Sequence, residues 1–104
     1  RPFQLLVSSI AGCSGGVFRT VLDKKKISYN TLEIAASVER DEQNANKVIK
    51  IELQFIIEGK NLDLEQLQKL LKVSMKNCAM VQSVIDAIDI EESIEIRENA
   101  VTVE

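Results

Sequence analysis

The sequence predicts an α+β fold, and three observations carry that reading. Apolar residues open the chain at helical spacing, two period-two stretches follow, and two further helical patterns precede a short C-terminal strand. From Pro2 to about Lys26 the apolar positions Leu6, Ile10, Cys13, Val17 and Val21 recur every three or four residues, on one face of a long helix. Pro2 suits the first turn, where an amide would have no intrahelical partner, and Lys24, Lys25 and Lys26 complement the negative pole at the other end. The middle of this helix is unusual. Ala11, Gly12, Ser14, Gly15 and Gly16 surround Cys13 with almost no side-chain volume, and each glycine costs about 1 kcal/mol relative to alanine. Close approach of a second helix or a ligand is the expected compensation.

The period then changes to two. Leu32, Ile34, Ala36 and Val38 alternate with polar or small residues, as do Ile49, Ile51, Leu53, Phe55 and Ile57, and the polar stretch 41–46 makes the turn of an antiparallel hairpin. Asp63 is placed to cap a helix carrying Leu64, Leu67, Leu70 and Leu71. Asn77 is expected to cap another that carries Cys78, Val81, Val84, Ile85 and Ile88. Residues 89–92 read as a loop, Ser93 to Arg97 as a strand, and Ala100 to Val103 as a short apolar tail that offers a second one.

With 104 residues, one core is expected, so 1–104 forms a single domain. The absence of histidine excludes serine–histidine and cysteine–histidine nucleophile pairs and two-histidine zinc sites. Two cysteines are too few for a four-thiolate metal site, so no metal is expected. Sixteen acidic against thirteen basic residues, with no basic stripe beyond the lysine triplet, disfavour nucleic acid. No membrane span and no signal peptide are expected, which predicts a cytoplasmic protein.

Chemistry therefore falls to the cysteines. Cys13 and Cys78 both suit small core positions, because free cysteine is among the most buried side chains. That is the reading composition favours, and two features point instead to a reactive pair: Cys13 is ringed by small residues, and Cys78 stands at a helix N-terminus, where partial positive charge favours thiolate. Phe3, Gly16, Phe18 and Met80 are the candidates to shape a pocket at Cys13, with core or interface packing as the alternative for the phenylalanines and core filling for Met80. Glu33, Glu39 and Glu52 read as a solvated sheet face.

Two segments carry a resemblance. Arg1 to Cys13 (RPFQLLVSSIAGC) is similar to the opening of the central helix in the OsmC/Ohr family, the osmotically induced and organic hydroperoxide resistance proteins, and Asn77-Cys78-Ala79-Met80-Val81 resembles that family's second-cysteine segment. The resemblance implies an interlocked homodimer that acts as a thiol-dependent peroxidase on organic hydroperoxides in oxidative or osmotic stress. Cys13 would be peroxidatic and Cys78 resolving, with no cofactor beyond an external dithiol reductant. It also implies that the N-terminal β segment of the family is lacking here, along with the arginine it carries, and that an exposed strand edge results. The family's glutamate after the helix-starting proline is Phe3 in this chain. That departure supports a second expectation, a non-catalytic dimeric module that binds a small apolar or thiol-reactive ligand.

Overall fold

In a computed structural model, the structure describes residues 2–98. Three helices and three strands follow in the order α1 (Pro2–Lys24), β1 (Thr31–Asp41), β2 (Lys47–Glu58), α2 (Leu64–Lys76), α3 (Ala79–Val84) and β3 (Asp89–Arg97). The predicted α+β class and element order are present; Ala100 to Val103 lie outside the described residues.

Helix α1 stops at Lys24, two residues earlier than its periodicity suggests. Lys26 is left-handed (φ 57°), and the Ile27 and Lys26 amides donate to the carbonyls of Leu22 and Asp23, both at 3.0 Å. This is a Schellman ending with lysine where glycine is usual. A left-handed non-glycine residue is strained by roughly 1–2 kcal/mol, part of which glycine returns as backbone entropy. Lys26→Gly is therefore expected to stabilise the fold by about 0.5–1 kcal/mol, a rise of a few degrees in melting temperature. An unchanged or lowered melting temperature would show that the turn carries no such strain.

The sheet has the order β1-β2-β3, with β1 antiparallel and β3 parallel to the central β2. One face is apolar: Leu32, Ile34, Ala36 and Val38 of β1 lie beside Ile57, Phe55, Leu53 and Ile51 of β2. On the other side of β2, Ile90, Glu92, Ile94 and Ile96 stand beside Ile51, Leu53, Phe55 and Ile57. Against this face α1 buries Val7, Ile10, Ser14, Gly15, Phe18 and Leu22, while α2 contributes Leu67, Leu70 and Leu71. Phe18 and Phe55 meet edge to face at the centre, ring centroids 5.3 Å apart. The opposite face carries Glu33, Glu39 and Glu52 exposed, as expected, with Glu52 accepting from Ser37 at 3.2 Å.

The C-terminal third departs from the sequence expectation in three places. Asn77 closes α2 rather than opening α3: its backbone amide bonds to the carbonyls of Val73 and Ser74, and its side chain donates to Val73 at 2.8 Å. The N-cap of α3 is Cys78 itself. Helix α3 ends at Val84, short of Ile88, because the Ala87 and Ile88 amides both turn back to the Val84 carbonyl. Residues 89–92 are strand rather than loop, since Ile90 continues the apolar row of the sheet. By length and composition α1 is also long and apolar enough to cross a membrane, contrary to the expectation of no such segment, and a third of that stretch is buried within the fold.

Candidate active site

The two cysteines are brought together by the packing of α1 on the start of α3. Asp63 caps α2, with its carboxylate accepting from the Glu65 amide at 3.1 Å, and Asn77 ends that helix where the chain turns. The turn is braced by Gln82, whose side chain donates to the Met75 carbonyl at 3.1 Å and whose amide donates to the Cys78 carbonyl at 3.0 Å. The first amides of α3 are thereby fixed with no intrahelical acceptor of their own. Cys13, midway along α1, faces them.

Cys13 is half-buried and Cys78 wholly buried, and both are free thiols. The Cys13 thiol is held below its ordinary range, mainly by the Met80 backbone amide, then by a hydrogen bond from Cys78 and by the Ala79 amide, against an opposing contribution from burial. Cys78 is shifted the other way. Burial pushes its thiol up, and the neighbouring Cys13 adds to that, while the amides of Val81 and Met80 pull against them. The two residues are shifted in opposite directions: the accessible thiol toward ionisation and the buried one away from it. Backbone amides do this work at Cys13, with no charged side chain among the groups that shift it.

Of the remaining predicted residues, Met80 lies at the site through its backbone amide, with its side chain partly buried on the core. Phe18 is wholly buried against Phe55 and belongs to the core rather than to a pocket wall. Phe3 lies ten residues before Cys13, about 15 Å along the helix, under the Arg40 guanidinium at 4.3 Å from the ring centroid. Gly16 borders a shallow depression of about 300 Å³ with Gly12, Arg19 and Ile34. The four residues thus do not form one pocket around Cys13 within the chain.

Sequence reasoning missed Glu92. Its side chain points into the fold beside Cys13's neighbour Ser14, whose hydroxyl donates to Glu92 Oε2 at 2.6 Å; Oε1 is buried without a partner among the described residues. The available signal was the period-two row Ile90, Glu92, Ile94, Ile96, which places a carboxylate inward. Glu92 also borders a cavity of about 440 Å³ between α2 and β3, with Leu71, Lys72, Met75 and Ile94. Burial pushes its carboxyl up, only partly offset by the Ser14 hydrogen bond. The folded chain therefore holds this proton to higher pH than the unfolded chain does. The resulting contribution is complete below glutamate's ordinary value, about 4.3, and is lost as pH rises through the raised folded value. Accordingly, the stability of the native sequence relative to Glu92→Gln is expected to fall as pH rises above glutamate's ordinary value, about 4.3, in urea titrations. Parallel curves for the two proteins would contradict this.

An α+β domain with a paired thiol site between a long central helix and the start of a later helix defines the class. The family model for OsmC-like protein matches residues 1–93, and the chain belongs to the OsmC-like family. Solved structures agree. A hypothetical protein from Aquifex aeolicus is 25% identical, with a TM-score of 0.86 over 95% of this chain and 75% of that one. The organic hydroperoxide resistance protein OsmC from Legionella pneumophila is 19% identical (TM-score 0.76; 91% and 69% covered). The organic hydroperoxide resistance protein OhrB of Bacillus subtilis is 23% identical (TM-score 0.60; 93% and 70% covered). A comparison with curated proteins finds no match.

Proposed function

We propose that the protein is a thiol-dependent peroxidase that reduces organic hydroperoxides through Cys13 and Cys78 in a reducing, cytoplasmic compartment, as a homodimer. The observation that carries this reading is the hold of the Met80 and Ala79 amides and the Cys78 thiol on Cys13, which favours thiolate on the more accessible cysteine. Membership of a family that includes organic hydroperoxide resistance proteins supports it.

In the first step the Cys13 thiolate attacks the distal oxygen of ROOH. The O–O bond breaks, the alkoxide leaves and takes a proton as ROH, and Cys13 is oxidised to sulfenic acid. The Cys78 sulfur then attacks the sulfenic sulfur, forming the S–S bond and releasing water. An external dithiol restores both thiols and is itself oxidised to a disulfide. The two free cysteines are not at disulfide distance, so the sulfurs must approach to about 2.05 Å for the second step.

Dithiol-dependent consumption of an organic hydroperoxide tests the reading. Turnover by the native sequence, with Cys78→Ser accumulating sulfenic acid at Cys13, is the expected result. Oxidation no faster than that of a free thiol would favour the second reading, a ligand-binding module. Phe3 supports that alternative, because it is packed under Arg40 where the family's peroxidases carry a carboxylate.

A further inference from the structure

Glu92 breaks the row in which it stands. The inward positions of β3 are otherwise isoleucines, in register with Ile51, Leu53, Phe55 and Ile57 of β2, and an aliphatic residue at 92 would complete that layer beside Leu53. A carboxylate there is desolvated and leaves one oxygen without a partner, which a leucine would avoid. No ion pair involves Glu92 among the described residues, although Lys72 of α2 borders the same cavity. The bond it does make is to Ser14.

Ser14 is diverted as well. Ser9, Thr20, Ser74 and Ser83 each donate to the carbonyl four residues earlier in their own helix, the usual resting place of a helical hydroxyl. Ser14, wholly buried, instead reaches a strand 78 positions away. Its neighbours are fixed by other elements: Cys13 by the first amides of α3, and Gly15 by Ile34 of β1, whose Cδ1 lies only 2.6 Å from where a glycine-to-alanine Cβ would stand. Three consecutive residues of α1 thus engage α3, β3 and β1 in turn. Ser14 is one residue from Cys13, a rise of about 1.5 Å and a rotation of about 100°, so whatever sets Ser14 sets the height and rotation of Cys13.

We propose that Ser14 and Glu92 are a positioning pair: their hydrogen bond fixes α1 against β3 and so holds Cys13, one residue along α1, in place against the start of α3. The pair accounts for a carboxyl where the sheet would take an isoleucine. It rests on Cys13 being the reactive thiol and is independent of what that thiol reacts with. Because Ser14 and Cys13 are adjacent on one rigid helix, any slide or rotation of α1 that follows loss of the bond moves Cys13 against the start of α3 by the same amount.

The test is iodoacetamide alkylation of Cys13 in the full chain from pH 6 to pH 9, followed by peptide mass spectrometry, with melting curves recorded alongside. Glu92→Leu and Ser14→Ala are expected to slow alkylation at pH 7 by about three- to tenfold and to move its pH midpoint upward. Glu92→Gln, whose amide oxygen still accepts from Ser14, is expected to stay within about twofold of the native rate. If the pair does not position Cys13, Glu92→Leu alkylates at the native rate and midpoint whatever its melting temperature, and that result overturns the proposal. Should Glu92→Leu not fold, Ser14→Ala decides by the same criterion, since alanine suits that helical position. Absence of hydroperoxide turnover with these alkylation shifts intact would remove the peroxidase assignment and leave the positioning pair standing.

Discussion

Cys13→Ser is expected to abolish hydroperoxide reduction, lowering single-turnover oxidation by at least about 10³-fold, while leaving the melting temperature close to native. A serine hydroxyl seated on the same amides stays protonated at neutral pH and cannot accept an oxygen to form a sulfenic acid, so the loss is chemical rather than structural. Cys13 is half-buried at the edge of the core, and oxygen for sulfur there creates no cavity of consequence. Cys78→Ser should behave differently: its first oxidation step survives and stops at sulfenic acid, because the resolving sulfur is gone. Comparable oxidation rates in the native and Cys13→Ser proteins would place the reaction elsewhere.

The second large effect is on stability. Phe55 is fully buried at the centre of β2, between Ile34 and Ile94 on the flanking strands, and receives Phe18 of α1 edge-on. Truncation to alanine removes a ring that α1 and the sheet share and leaves a cavity that a backbone fixed on both sides by strand pairing cannot collapse. Phe55→Ala is expected to cost about 3–5 kcal/mol, or a drop of 15 °C or more in melting temperature. Because Phe18 lies five residues beyond Cys13 on the same helix, the variant should also loosen the seat of Cys13 on α3, which faster hydrogen exchange of the Met80 amide would report. A loss below about 1 kcal/mol would mean that the aromatic pair is not the centre of the core.

These two residues also show what the sequence makes legible. Phe55 falls in an alternation from Ile49 to Ile57 that only Ile56 interrupts, so its burial can be read from period, and the preceding turn and strand suggest its antiparallel partner. Cys13 sits on the apolar stripe of a long helix, and the resemblance supplies its partner. The parallel docking of β3 on β2 is beyond such reading, since it depends on the crossover through α2 and α3 rather than on a turn motif. Asn77 was ambiguous for a physical reason: its side chain can close one helix or open the next, and here the carbonyls of Val73 and Ser74 lie within reach. The loop assigned to 89–92 arose from four residues dense in charge, where a carboxylate facing inward looks like a surface run until Ser14 is seen above it. Phe3 shares a helix with Cys13, but ten residues at about 1.5 Å each separate the two, whereas Gly16, within one turn of Cys13, borders the depression beside Arg19 and Ile34. The main-chain amides that pull the Cys13 thiol down are the least legible part, because they leave no signature in residue type.

The central claim is that Cys13 and Cys78 act as one redox pair, and the most direct measurement is a single-turnover titration. The reduced protein is mixed with one equivalent of cumene hydroperoxide, quenched with an alkylating agent, and its peptides are mapped by mass spectrometry. The account predicts that two thiols disappear per peroxide and that the Cys13 and Cys78 peptides are recovered joined by a disulfide, with one equivalent of the alcohol formed. Recovery of both peptides alkylated and the peroxide unconsumed would contradict it.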